Sequence, residues 1–191
     1  MNLSPYFARK LAARQPLAID ARRAIAVKRN THEFEIAATA EEFAKAFAAV
    51  LAEPGARFGQ ITIGRLPGRD GRPFTVGERF TGRVMLLGGL IADLALSDYA
   101  EVVELRLDAP PYRAVYHYLD GCPMAGSSTF TIDDVAPGRC RFRVVFEYQE
   151  LSALAIAVLN RFGLRLHDDV TRAQVEAAAR RLGAHVLSST M

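Results

Sequence analysis

Cysteine is scarce in this chain of 191 residues: Cys122 and Cys140 are too few to make a disulfide framework. Long apolar runs are missing as well. The best candidate, residues 84–96, is broken by Gly88, Gly89 and Asp93, and falls short of the roughly 20 apolar residues that cross a bilayer. No arginine-led start followed by a long apolar stretch reads as a secretory signal. Together these absences predict a soluble chain in a reducing, cytoplasmic setting. Metal-ligand spacing is lacking too. Cys122, Cys140, His117 and His167 include no close Cys-x-x-Cys or His-x-x-x-His pair, so no metal is expected. No Cys–His order marks a nucleophile. The glycines between Pro67 and Pro73 lack the Lys-Ser/Thr ending of a phosphate loop, and no cofactor is expected.

What is present is enough apolar residue, 50%, for one good core. The formal charge of +3 is unevenly spread. Residues 1–30 hold Arg9, Lys10, Arg14, Arg22, Arg23, Lys28 and Arg29 against Asp20 alone, a net +6 that leaves the remainder acidic. This segment is read as a basic extension of two short helical pieces, Pro5 to Arg14 and Ile19 to Lys28, divided by Pro16. Its charge suits weak contact with an anionic membrane surface; nucleic acid is the disfavoured partner, and a solvated arm packed along the domain explains the same charge. The domain itself is expected over 31–191.

The strongest signal is the hairpin from Ser127 to Glu150. Phe142, Val144, Phe146 and Tyr148 share one parity, Arg141, Arg143, Glu147 and Gln149 the other, which predicts a strand with one apolar and one wet face. Phe130 and Ile132 extend the apolar face onto its partner, across a turn at Val135 to Gly138. Upstream, His32 to Ala37 alternates as a first strand. Thr39 and Glu42 form a capping box that starts a helix running to Ala52, burying Phe43, Phe47, Val50 and Leu51 and ended by Pro54-Gly55. Further strands are predicted over Phe58 to Leu66, Phe74 to Gly82, Glu101 to Asp108, with Val103, Leu105 and Leu107 inward, and Tyr112 to Leu119. Residues 84–96 read as a helical or irregular insert. From Leu151 the spacing turns helical through Ala155, Val158, Phe162, Leu166 and Val170, predicting one long helix to Gly183.

Strand, helix, six antiparallel strands and a long C-terminal helix: this order resembles the helix-grip fold of the START-like superfamily (SRPBCC), which includes lipid-transfer domains and polyketide cyclases. The resemblance covers about His32 to Gly183, departs from the family in showing one helix before Phe58 where two are usual, and rests on element order. It implies an α+β fold, a curved antiparallel sheet of about seven strands wrapped around the C-terminal helix, with a ligand cavity between them. Fold analogy carries no catalytic residue across.

From the residues themselves, Glu78 is the sharpest candidate for chemistry. On the parity of Phe74, Val76 and Phe80 it would be a carboxylate on an apolar face, with a raised pKa fit for proton transfer, unless a buried arginine or hydroxyl pairs with it or a strand end exposes it. Tyr112, Tyr116, Tyr118 and Tyr148 have apolar bodies and polar tips. Phe74, Phe80, Phe130, Phe146, Val158 and Phe162 complete the expected ligand-binding set. Three readings remain open: binding or transfer of a hydrophobic small molecule or lipid, a cofactor-independent cyclase, dehydratase or isomerase using Glu78 on a polyketide-like substrate, and an interaction domain acting through its basic arm.

Overall fold

A computed structural model describes residues 3, 5–84, 98–151 and 164–190 of the chain. The insert expected at 84–96, apart from Val84, and the first part of the long helix, with Val158 and Phe162, lie outside the described residues, as does the Leu166 side chain. The described chain runs α1 (Pro5–Ala13), β1 (Lys28–Ile36), α2 (Ala40–Ala52), β2 (Arg57–Phe58), β3 (Ile61–Arg65), β4 (Arg79–Val84), β5 (Asp98–Arg106), β6 (Tyr112–Tyr118), β7 (Met124–Ala136), β8 (Arg139–Glu150), α3 (Leu164–Leu182) and β9 (Val186–Thr190). All nine strands join one antiparallel sheet in the order β2-β3-β4-β5-β6-β7-β8-β1-β9. This is two strands more than expected: Phe58 to Leu66 is divided by the turn at Gly59, and β9 pairs with the outer edge of β1 after the chain leaves α3.

The central hairpin has the expected register. Phe142 and Val144 are fully buried, Phe146 and Tyr148 nearly so, while Arg141 and Arg143 are exposed. Gly138, with φ at 68°, makes the turn. Across the sheet's inner face lies α2. Its capping box is complete: Thr39 Oγ1 accepts from Glu42 N–H, and Glu42 Oε2 accepts from Thr39 N–H at 3.0 Å. Asp134 of β7 also accepts from Ala40 N–H at 2.7 Å, tying the helix start to the sheet. Phe43 and Phe47 then reach Phe142, their ring centroids 5.6 and 4.9 Å from its own, and anchor the main core. Val175, Ala178 and Ala179 bring α3 into the same core.

Two expected strands are corrected. Residues 74–78 do not continue β4: Glu78 N–H bonds to Thr75 O, and Gly77 sits at φ 81°, so a turn precedes the strand and leaves Val76 exposed. In β5 a bulge between Val102 and Glu104 shifts the register. Val102 is therefore the buried residue and Val103 points out, while Leu105 and Leu107 still face inward.

The N-terminal segment is part of the packed body. Only its first piece is helical. Leu3, Ala8 and Leu11 are buried with Leu119 against Leu66 and Tyr99. Leu3 lies on Gly64, where an added Cβ would stand 2.9 Å from Leu3 Cδ2. Where a second helix was expected, Asp20 folds back on Arg22 N–H, and Gln149 binds the Asp20 backbone and Ile25 O. The sheet takes up the chain at Lys28, ahead of the expected boundary.

Candidate functional site

A chamber of about 590 Å³ opens between α2 and the sheet, within the range of small-molecule sites. Its origin is legible on α2: the face bearing Phe43 and Phe47 fills the core, whereas Ala48, Ala49 and Ala52 leave space. Ile63, Phe74, Phe80, Val102, Leu105, Ala114 and Tyr116 supply the remaining apolar wall, and Lys45, Asp108 and Gln174 the polar groups. Aromatic rings follow one another along it. Phe74 meets Phe80 at 5.4 Å, Phe80 meets Tyr116 edge-on at 5.2 Å, and Tyr116 meets Phe130 at 4.7 Å.

A smaller cavity of about 130 Å³ adjoins it, sharing Ile63, Phe80, Tyr116 and Gln174. Its walls are more polar: Asp98, Tyr118, Ser128, His167 and Thr171 join Phe130 and Phe146. The Tyr118 hydroxyl and Ser128 Oγ are hydrogen-bonded at 2.9 Å. Asp98 stands opposite Gly82 of β4 and shares the cavity wall with it. Burial pushes the Asp98 carboxyl up to about 7, where a carboxylic acid can both give and take a proton near neutrality. Burial likewise raises the Tyr116 and Tyr118 hydroxyls above the ordinary phenol range, so both are neutral donors. His167, stacked on Phe146 at 4.6 Å, is held down to about 3, first by burial and then by His32.

Among the residues expected to bind ligand, Phe74, Phe80, Tyr116, Tyr118, Phe130 and Phe146 line one or both cavities. Tyr112 is packed in the main core, and Tyr148 is stacked on Phe146 at 4.4 Å in a second cluster; neither lines these cavities.

Glu78 has a different setting from the one its parity implied. Its carboxylate is buried, but it borders a separate hollow against α1 instead of the apolar chamber. Arg65, itself 2% exposed, donates to Oε1 at 2.7 Å; Arg69 donates to Oε2 at 2.8 Å, and Thr75 N–H to the same oxygen at 3.2 Å. Arg65 also donates to Arg72 O and Pro73 O and lies over the Phe74 ring at 4.0 Å. Glu78 thus fastens the loop that carries Pro73 and Phe74 to the chamber. The two cysteines are buried thiols pushed up to about 12, chiefly by burial, which leaves them un-ionised at neutral pH.

No family model matches the chain, and no curated protein does. Solved structures do. Norcoclaurine synthase from Thalictrum flavum superposes with a TM-score of 0.57 at 16% identity, covering 88% of this chain and 98% of that one. The Zhui aromatase/cyclase from a Streptomyces species gives 0.60 at 15%, covering 82% and 96%. A conserved protein from Geobacillus kaustophilus gives 0.51 at 12%, covering 83% and 99%. At such identities the likeness is one of fold: this chain has an α+β helix-grip fold. Among the described residues no helix is long and apolar enough to cross a membrane.

Proposed function

We propose that this helix-grip protein binds a largely apolar, ring-containing small molecule in the chamber between α2 and the sheet. The observation that carries the reading is the chamber itself: about 590 Å³, walled by alanine, aliphatic and aromatic side chains, with a polar end. Rings at successive edge-on and tilted contacts suit an aromatic or polycyclic guest, and Tyr118 and Ser128 suit its polar substituents. The neutral dye N-phenyl-1-naphthylamine is the probe. Fluorescence titration is expected to show one site per chain, weakened about tenfold or more by Ala48→Trp, which fills the chamber, and unchanged by Val135→Trp on the exposed end of β7. Failure of the wild-type chain to bind, or equal binding by Ala48→Trp, would overturn the reading.

A second reading, proton-transfer chemistry of the cyclase kind on the bound molecule, is favoured by Asp98. It joins a pKa near neutrality to a place in the cavity wall, and Coulombic coupling links it to Tyr118. In this reading Asp98 is the acid and base, and Tyr118 orients the group that receives the proton. Two of the structures of similar fold carry enzyme names, norcoclaurine synthase and an aromatase/cyclase, which supports chemistry in such a cavity.

A further inference from the structure

His32, on β1, has the parity of Phe34 and Ile36 and is fully buried on the inner face of the sheet. From α3, His167 and Asp168 come to meet it. One ligand atom from each of the three residues lies within 4.8 Å of the other two. The polar atoms of this group are orphaned: both ring nitrogens of His32, Nδ1 of His167 and Oδ1 of Asp168 are buried with no hydrogen-bond partner. His32 Nε2 and Asp168 Oδ1 stand 3.3 Å apart, but without hydrogen-bonding geometry. Buried donors and acceptors are nearly always satisfied, so three neighbouring side chains with unmatched atoms call for a partner that accepts several lone pairs at once.

We propose that His32, His167 and Asp168 bind a divalent transition-metal ion of the zinc class. Two imidazoles and one carboxylate suit Zn²⁺ and its neighbours, whereas Mg²⁺ and Ca²⁺ prefer all-oxygen sites. Tetrahedral coordination at about 2.0–2.1 Å places ligand atoms roughly 3.4 Å from one another. His32 and Asp168 already have that separation, at 3.3 Å, and His167, within 4.8 Å of both, closes on the ion by a side-chain adjustment on the order of 1 Å. Three protein ligands leave one position for another group. His167 is also part of the inner cavity's wall, so the three-residue group borders the proposed ligand site. The metal site rests on its own geometry and stands whether or not the chamber binds a small molecule.

The test uses the full-length untagged chain, stripped with a chelator and titrated with Zn²⁺ by calorimetry and with Co²⁺ by visible absorption. One ion per chain is expected, with the intense d–d bands of a four-coordinate Co²⁺ site and a raised thermal midpoint in Zn²⁺. Loss of an outer-shell partner costs 10–100-fold in affinity, so His167→Gln and Asp168→Asn are each expected to weaken binding at least tenfold and to remove the thermal gain. These positions are only partly buried, so the pair keeps the test decisive even if His32→Ala fails to fold. His117→Ala and His185→Ala, at exposed positions, are expected to leave binding unchanged. Absence of stoichiometric Zn²⁺ binding would overturn the proposal. So would binding that survives His167→Gln and Asp168→Asn, or that the two surface variants abolish.

Discussion

Asp98, on β5, and Glu78, in the turn before β4, show how two carboxylates acquire different properties. Glu78 is matched by two arginines and a backbone N–H, whereas burial raises Asp98. Because its folded pKa of about 7 exceeds the unfolded value near 3.9, the native state holds the extra proton between those limits. Stability therefore falls as pH rises through about 4 to 7, by at most about 4 kcal/mol. Asp98→Asn is expected to flatten that slope in denaturant unfolding measured from pH 4 to 8. In the enzyme reading, the same variant keeps dye affinity and lowers turnover of a poly-β-ketone substrate by about 10². A wild-type slope retained by the variant would show that Asp98 is not the titrating group. Asp98 was not legible in the sequence because it sits at the edge of an apolar stretch, outside any alternating run. His32 shares parity with Phe34 and Ile36, but its meeting with His167 and Asp168 of α3 is a tertiary contact that no period within one strand contains.

At the scale of elements, the capping box of α2 and the alternation of β8 could be read directly, because each is a local pattern with one physical solution. The misreadings came where a single residue breaks a period. Gly77 turns the chain before β4, so the parity that placed Glu78 in the cavity counted across a bend. The extra residue at Val103 lets two neighbours point outward without disturbing Leu105. Whether such a residue bulges or flips the rest of the strand is decided by pairing with β6, which a period within one segment does not contain. The turn gives Glu78 its task of holding the loop from Arg65 to Thr75. Glu78→Gln is expected to lower unfolding stability by about 3–5 kcal/mol, since it leaves the Arg65 guanidinium buried and poorly matched. Thermal or urea unfolding checks the loss. A change within about 0.5 kcal/mol would mean that the loop holds without the carboxylate.

For the whole molecule, the two sides of the sheet near β3 and β4 are both covered, one by the chamber-lining core and the other by α1. The basic segment is correspondingly less free than its composition implies: Arg14 lies 3.6 Å from the centre of the Tyr99 ring, and Arg22 is paired with Asp20. Deleting residues 1–13 removes buried Leu3 and Leu11 and uncovers Leu119. The expected loss is about 3–6 kcal/mol at 1.5–3 kcal/mol for each of the two leucine side chains, read as an earlier urea midpoint. An unchanged midpoint would make the segment an appendage after all. The strand order has a further consequence, in the time the chain takes to be made. β1 has its partners in β8 and β9, the latter at the far end of the described chain. Once β1 leaves the ribosome, roughly 100 more residues must be synthesised before β8 follows, about 5–20 s at ordinary rates of translation. Throughout that wait Phe34 and Ile36 are open to any passing strand, and the charges of Lys28, Arg29, Glu33 and Glu35 among them act as gatekeepers against the wrong one.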